Sequence, residues 1–240
     1  NYTKDLIQDQ LYVGSYLLLS FLSFMPGVFL FFFKNIENIQ EASLEKENVR
    51  NLRSILLQPR FLQAITAAAF AYAVMSFLMT ATPLSMHVNE NMSLKETGVV
   101  LQFHVVAMFL PSLITGNLIK KYGHSAIIYG GVLFFFITVL LSLFEQTYLN
   151  YMISLIFLGL GWNFLFISGT SLVVLTYNKG EKFKVQGVND LIVFSTMALA
   201  SLSAGILLNS IGWKMMNLIC IPFLILIILV SFVADKKLDS

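Results

Sequence analysis

The sequence predicts an all-α membrane protein, a bundle of helices that crosses the bilayer seven times. Of its 240 residues, 57% are hydrophobic and only 12% are charged, and the mean hydropathy is +0.78. Because a soluble domain carries about a quarter charged residues, this composition excludes a single soluble core. The spans are expected to be helical, since lipid offers no partners to backbone N–H and C=O groups.

Seven apolar runs are long enough for a helical crossing, which takes about 20 residues. They are residues 10–33, 61–86, 97–119, 125–144, 149–176, 187–210 and 213–234. The long polar segment 34–59 separates the first two runs, and its scattered Ile, Leu and Val residues predict short interfacial helices. The single cysteine, Cys220, lies inside an apolar run and is interpreted as a small core residue.

The distribution of Lys and Arg predicts the orientation. If residues 34–60 are cytoplasmic, twelve Lys and Arg residues fall inside and three fall outside. Positive charge favours the cytoplasmic side, so the C-terminus is expected in the cytoplasm and the N-terminus outside. An outside N-terminus leads us to expect further spans upstream of residue 1.

Two eight-residue segments that begin and end with glycine, called glycine frames below, indicate an internal repeat. Gly116–Gly123 and Gly205–Gly212 are related by a shift of 89 positions (116 to 205). The same shift pairs the three runs that begin near 61, 97 and 125 with the three that begin near 149, 187 and 213. Because three is odd, the second triplet is expected to be inverted in the membrane, which is typical of secondary transporters. The alternative is a chance similarity between glycine-rich spans.

Polar side chains are concentrated in four of the spans, whereas 125–144 and 213–234 are almost uniformly apolar and are expected to face lipid. Residues from three of those spans are predicted to line a substrate or proton pathway; within each span they share a polar helical face, except Gln102, which lies opposite the face of His104. They are Tyr72, Ser76, Gln102, His104, Met108, Asn163, Phe166 and Thr170. The alternative for the hydroxyl groups is interhelical packing and hydrogen bonding.

His104 is the sharpest candidate of this set. It lies about seven residues inside its span, where an ionisable group is costly and commonly faces an interior or a water path. Histidine also titrates near neutral pH, so proton coupling or substrate binding is one interpretation. The other is a neutral structural histidine. Trp162 is interpreted as core packing, with substrate stacking as its alternative.

A second set of residues is predicted to form a cytoplasmic gate. It comprises Gly116, Lys120, Lys121, Gly123, Glu181 and Asp190. The lysines are expected to tune inward closure with Glu181 or Asp190 as partners. Asp190 lies near the cytoplasmic end of its span and is interpreted as a gating or structural partner of Lys182, Lys120 or Lys121.

Several kinds of chemistry have no sequence support. The spacing of His, Cys, Asp and Glu forms no metal-binding pattern, and neither a nucleophile constellation nor a catalytic carboxylate pair is evident. Arginine is scarce and there is no basic stripe for nucleic acid. We therefore expect no metal, no cofactor, no nucleic-acid partner and no enzymatic activity.

One loop resembles a family motif. Gly116-x-Leu118-Ile119-x-Lys121-Tyr122-Gly123-His124 is similar to the G-x-L-a-D-r-x-G-r-r loop of the major facilitator superfamily, in its copy between spans eight and nine. It departs from the first-half copy by having Asn and Lys where that copy has an acid and Arg. Other stretches look like a bacterial drug and vitamin permease subgroup, some of whose members resemble riboflavin-type permeases: 79–87, 102–104 with 108–112, 161–166 and 186–190.

The resemblance implies spans six to twelve of a twelve-helix transporter. Residues 1–33 would then be span six, 34–59 the cytoplasmic linker and 60–240 the six-helix C-terminal half, with repeats at about 60–146 and 147–235. Its implied partners are the lipid bilayer of a bacterial inner membrane, a small-molecule solute and an N-terminal half with spans one to five. The implied function is proton-coupled or uncoupled secondary transport of a small organic solute by rocker-switch alternating access, with helices seven, eight, ten and eleven lining the cavity. The alternative is a non-transporting membrane fragment or scaffold that needs a partner to supply the missing helices.

Overall fold

The computed structural model describes residues 13–32 and 49–237, which fall into two separate units. The first unit contributes one apolar helix, α1 (Val13–Phe32), with Pro26 inside it. The second unit holds everything from residue 49 onward. Most of the predicted interfacial linker, including Lys34 and Lys46, lies outside the described residues, as do residues 1–12 and 33, which include both ends of the predicted first run, and residues 238–240.

Eight helices build the second unit. They are α2 (Leu52–Leu56), α3 (Pro59–Leu84), α4 (Leu94–Phe109), α5 (Ser112–Tyr122), α6 (His124–Ser142), α7 (Tyr148–Val173), α8 (Lys182–Ile219) and α9 (Ile221–Lys236). Local signals set several of their starts. Pro59 occupies the first turn of α3, where its missing N–H costs nothing, and Ser93 forms a capping box with Glu96 at the start of α4.

Two helix breaks determine how the helices group into spans. Pro111 separates α4 from α5, so residues 94–122 form one interrupted crossing. Gly212 interrupts α8 with φ 75° and ψ 170°, a conformation that is essentially restricted to glycine. The apolar stretch Lys179–Lys236 has 58 residues, far more than one crossing needs, so it crosses twice. Helix α1 and the stretches Pro59–Asn89, Leu94–Tyr122, His124–Ser142 and Tyr148–Thr176 each cross once. The described residues therefore supply seven crossings, as the sequence predicts.

The helix bounds repeat with the same offset as the glycine frames. α3 runs from 59 to 84 and α7 from 148 to 173, so both ends differ by 89. Gly123, with φ 82° and ψ 163°, ends α5 and begins α6, and Gly212 has almost the same dihedral angles at the equivalent position. The third span of each triplet packs against the first span of the other: α6 against α7, and α9 against α3.

The centre of the bundle is the contact between α3 and α7. Six of the fourteen buried residues of α3 are alanine, and Gly169 of α7 lies directly against two of them, Ala64 and Ala68. A Cβ atom at Gly169 would come within 2.8 Å of the Ala64 carbonyl oxygen and 2.9 Å of the Ala68 backbone nitrogen. Small residues at such interfaces let membrane helices approach closely, and here they bring the two central helices side by side.

Candidate functional site

An aromatic cluster joins four helices in the middle of the spans. It contains Tyr72 of α3, Phe109 of α4, Trp162 and Phe166 of α7, and Phe194 of α8. The Trp162 and Phe166 rings are stacked at 4.9 Å with 14° between their planes, and Tyr72 meets both edge-on at 5.3 and 5.0 Å. Phe194 extends the cluster through Tyr72 at 6.0 Å, and Phe109 extends it through Trp162 at 5.9 Å.

The cluster has both a buried base and an accessible rim. Trp162 is 4% exposed and its indole Nε1 has no hydrogen-bond partner among the described residues. Phe109 and Phe194 are 59% and 49% exposed. Aromatic faces of this kind offer stacking and edge-on contacts to a planar ring. The arrangement is therefore chemically suited to a flat, largely apolar ligand.

The cluster contains two of the predicted pathway residues, Tyr72 and Phe166. Ser76 follows Tyr72 by one turn of α3 and is half-buried, and Thr170 follows Phe166 by one turn of α7. The Thr170 hydroxyl donates to the Phe166 carbonyl at 2.7 Å, which is a bond within its own helix. Ser76 and Thr170 thus flank the cluster, whereas Phe109 and Phe194 were not predicted. Trp162 was interpreted as packing, and its burial fits that interpretation while its ring forms the cluster base.

The predicted residues His104, Met108 and Asn163 form a different feature, an α4–α7 lock. The His104 Nδ1–H donates to the Leu155 carbonyl at 2.8 Å, and the imidazole is fully buried. Asn163 Nδ2 donates to the Met108 carbonyl at 2.6 Å and to the Ser112 hydroxyl at 2.7 Å, while Thr115 donates to Asn163 Oδ1 at 2.6 Å. Met108 participates through its backbone.

A helix break and a glycine explain why this lock forms. Pro111 has no N–H, and the break it introduces between α4 and α5 leaves the Met108 carbonyl available to Asn163. Gly159 lets the helices touch, since a Cβ there would lie 2.7 Å from the His104 carbonyl oxygen. The structure therefore turns His104 toward a backbone carbonyl of α7 and away from the aromatic cluster. Gln102, on the opposite side of α4, is exposed.

The predicted gate residues do not come together as expected. Gly116, Lys120, Lys121 and Gly123 are exposed around the end of α5, where Gly123 provides the turn into α6. The expected partner Glu181 is instead bound to Arg50, which lies 131 positions earlier in the chain. Asp190 is exposed and accepts a hydrogen bond from Asn189 Nδ2 at 3.0 Å. Within residues 13–32 and 49–237, no lysine forms an ion pair with either acid.

The Arg50–Glu181 pair is held by several bonds. The Glu181 side chain is 2% exposed. It accepts from the Arg50 backbone N–H at 2.8 Å, from Nε at 3.0 Å and from Nη2 at 2.7 Å, and Asn178 adds a backbone N–H at 2.8 Å. The Arg50 side-chain bonds come first among the causes that lower the pKa of Glu181 to about 2. The end of the polar segment is thereby fixed to the loop between α7 and α8.

A second polar cluster joins the ends of α3, α6 and α9. Asp235 Oδ1 accepts from Ser125 at 2.6 Å and from Arg60 at 3.4 Å, and Tyr129 donates to Oδ2 at 3.3 Å. Gln63 bridges Arg60 and Ser125 at 3.1 and 2.9 Å. This cluster was not predicted from the sequence. The signal that could have indicated it is the presence of Arg60 and Asp235 at the ends of two apolar runs that the charge distribution assigns to the same side of the membrane.

Other parts of the described structure offer less to a polar ligand. A cavity of about 490 Å³ between α3, α8 and α9 is lined by apolar side chains plus Thr196, Ser203 and Cys220. All three polar groups donate to their own helix. No three His, Cys, Asp or Glu side chains gather as metal ligands in the part of the chain that the structure describes.

The comparison with known families decides the classification. The model of the Major Facilitator Superfamily matches residues 11–193 and 64–240. The chain belongs to the major facilitator superfamily. It is thus a multi-pass membrane protein, and the resemblance seen in the Gly116–Gly123 loop is confirmed.

Three bacterial relatives indicate which subgroup of the superfamily the chain resembles. The chain is 35% identical over 227 residues to the riboflavin transporter RfnT of Brucella anthropi, covering 95% of this chain and 57% of the relative. It is 29% identical over 175 residues to the uncharacterised MFS-type transporter YdeG of Bacillus subtilis, and 31% identical over 164 residues to YddS of the same species. Those alignments cover 72% and 65% of this chain and 39% and 37% of the relatives. The chain thus spans about half the length of the curated relatives it matches, and the predicted bacterial permease subgroup agrees with them.

Proposed function

We propose that the chain is part of a secondary active transporter that moves a small organic solute across the membrane by rocker-switch alternating access. Membership of the major facilitator superfamily supports transport rather than catalysis. The aromatic cluster is the observation that carries the solute site, because α3, α4, α7 and α8 each contribute a ring to it. Alternating access rocks the two halves of a transporter around a site that lies between them, so a cluster with exposed rings on this half can form one side of such a site.

The chemistry of the cluster favours a planar aromatic solute. Stacked and edge-on rings bind flat π systems, and the apolar surroundings match a ring with little charge. Riboflavin has such a ring, and a relative that covers 95% of this chain is named as a riboflavin transporter. Riboflavin or a closely similar ring compound is therefore the proposed solute.

The remaining segments receive roles within this proposal. Residues 1–33 are assigned to span six, 34–59 to the cytoplasmic linker and 60–240 to the C-terminal half, with an N-terminal half of spans one to five as its partner. The common 89-residue offset of α3 with α7 and of Gly123 with Gly212 supports inverted repeats at about 60–146 and 147–235. The charge distribution supports a cytoplasmic C-terminus in a bacterial inner membrane.

His104 is assigned the role of a neutral structural histidine, and not that of a proton carrier. Its Nδ1 must carry a proton to donate to the Leu155 carbonyl, which only accepts, and its ring is sealed between α4 and α7. A proton carrier needs access to water on alternating sides. We therefore assign His104, with Asn163, to the α4–α7 lock and assign no proton transfer to it.

Lys120 and Lys121 are assigned to the cytoplasmic gate, as predicted, but with partners other than Glu181 and Asp190. Both are exposed and Glu181 is already bound to Arg50, so their partners are proposed to lie on the N-terminal half. Replacing both with Ala should change the balance between inward-open and outward-open states and leave solute affinity unaltered. A change in affinity alone would contradict the gate role.

Uptake by the complete transporter in proteoliposomes tests the proposed function. Radiolabelled riboflavin should accumulate or exchange in vesicles that contain the protein, at a rate well above protein-free vesicles, and unlabelled riboflavin should compete. A panel of non-aromatic vitamins of similar size serves as the solute control. Absence of uptake, together with no solute-dependent stabilisation of the protein, would instead support the non-transporting scaffold.

A further inference from the structure

A single acidic residue lies within a membrane-crossing helix, near the end at which the helix begins. Between Lys184 and Lys214 the only charged residue is Asp190. It follows the start of α8 at Lys182 by eight residues, about 12 Å of helix. A charged group at such a position is costly in lipid and therefore commonly faces the interior of a bundle or a water-filled cavity and marks function.

The surroundings of Asp190 leave its carboxylate available. Its side chain is exposed, and the two ion pairs among the described residues use Glu181 and Asp235 instead. Asp190 Oδ1 accepts a hydrogen bond from Asn189 Nδ2 at 3.0 Å. Asn189 is itself 5% exposed, so a buried amide holds the carboxylate in place. An ionised carboxylate has about four acceptor positions, so most of its capacity is unused.

Asp190 shares a helix face with the aromatic cluster. Phe194 follows it by four residues, which places both on the same exposed side of α8. The Phe194 ring lies 6.0 Å from the Tyr72 ring. One helical turn is about 5.4 Å, so the carboxylate lies roughly one turn from the edge of the cluster. A ring bound against Tyr72 and Phe194 would direct a short substituent toward Asp190.

We propose that Asp190, positioned by Asn189, is the polar end of the solute site and binds the hydroxyl groups of a flexible chain attached to the planar ring. This inference rests on the proposed function and names the solute class more closely: an aromatic ring that carries a polyol chain. Hydroxyl groups donate to a carboxylate in charge-assisted hydrogen bonds, which are stronger than neutral ones. The proposal gives Asp190 a role in binding in place of the predicted gate role.

Two ligands separate the ring contacts from the chain contacts. Riboflavin has the ring with a ribityl chain of hydroxyl groups, and lumichrome has a similar ring without that chain. Binding of each to the complete transporter in detergent is measured by calorimetry for the wild type, Asp190→Ala and Asp190→Asn. Because the side chain of Asp190 is exposed, its removal leaves no core cavity, and thermal unfolding checks that each variant is folded. Glu145→Gln neutralises an exposed carboxylate elsewhere and is the matched control.

The substitutions of Asp190 are expected to affect riboflavin binding and not lumichrome binding. Asp190→Ala should weaken riboflavin binding about tenfold or more, as loss of a hydrogen bond to a charged group implies, and should leave lumichrome binding unchanged. Asp190→Asn should weaken riboflavin binding less, because the amide retains an acceptor. Equal weakening of both ligands, or unchanged riboflavin binding in Asp190→Ala, would overturn the assignment of Asp190. A wild-type protein that binds neither ligand would overturn the proposed function itself, which distinguishes the two failures.

Discussion

The α4–α7 lock depends on Gly159, and Gly159→Ala is the perturbation that tests it. A Cβ atom at this position would lie 2.7 Å from the His104 carbonyl oxygen, 2.9 Å from Ala107 Cβ and 3.1 Å from the Met108 backbone nitrogen. Two of these atoms belong to the backbone and cannot rotate away, so α4 must move. Overpacking of this kind costs about 1–3 kcal/mol. The helix gains about 0.5–1 kcal/mol from replacing glycine by alanine, which offsets part of that cost.

The two ranges together leave a loss of about 0–2.5 kcal/mol in unfolding free energy, and any weakening of the His104 and Asn163 hydrogen bonds adds to it. At about 2–4 °C per kcal/mol for a chain of this size, Tm should fall by up to about 10 °C. Thermal unfolding in detergent measures it. Gly98→Ala, also in a helix but with no atom within 4 Å of the new Cβ, is the matched control and should not lower Tm. Equal Tm values for the two variants would refute the close approach of α4 and α7.

Three further predictions concern side-chain contacts outside the aromatic cluster. His104→Gln should lower Tm because the buried imidazole is lost. Solute uptake by this variant should respond to a pH gradient as the wild type does, and loss of that response would support the proton-carrier interpretation. Ser125→Ala should destabilise the protein by about 1–2 kcal/mol in an unfolding titration, since Asp235 and Gln63 both lose a partner; an exposed control, Ser54→Ala, should cost less. The pKa of Glu181 is about 2, against an ordinary value of 4.5, so the docking of residues 50–58 should be complete above about pH 4.5 and be lost as the pH falls toward 2. The mobility of a spin label at Ser54, in a Cys220→Ala background, reports that docking, and Glu181→Gln should release it already at pH 7.

Apolar run lengths and glycine positions predicted the fold well. The runs beginning near 61 and 149 correspond to α3 and α7, and the two turns that frame the repeat fall at Gly123 and Gly212. These features are local: a span needs about 20 apolar residues, and a positive φ with extended ψ needs glycine. The prediction placed span ends within a few residues of the helix ends.

The site was predicted less completely, because polar residues on one helix face look alike in a sequence. His104, Asn163 and Tyr72 share the pattern expected of a pathway, yet the first two bond to backbone atoms of a neighbouring helix and only Tyr72 reaches the aromatic cluster. Which neighbour a side chain meets depends on helix rotation, which periodicity leaves undetermined. The Arg50–Glu181 pair shows the same limit, since 131 residues separate its members.

The most direct test of the central claim is the affinity of the complete transporter for riboflavin when single rings of the cluster are removed. Tyr72→Leu and Phe166→Leu should each weaken binding by about tenfold, because stacking of an aromatic side chain on a heterocycle contributes about 1–3 kcal/mol. Phe134→Leu removes a ring that contacts Phe157 and Phe164 outside the cluster, and it should leave the affinity unchanged. If all three variants bind riboflavin as the wild type does, or if Phe134→Leu weakens binding as much as Tyr72→Leu, the aromatic cluster is not the solute site.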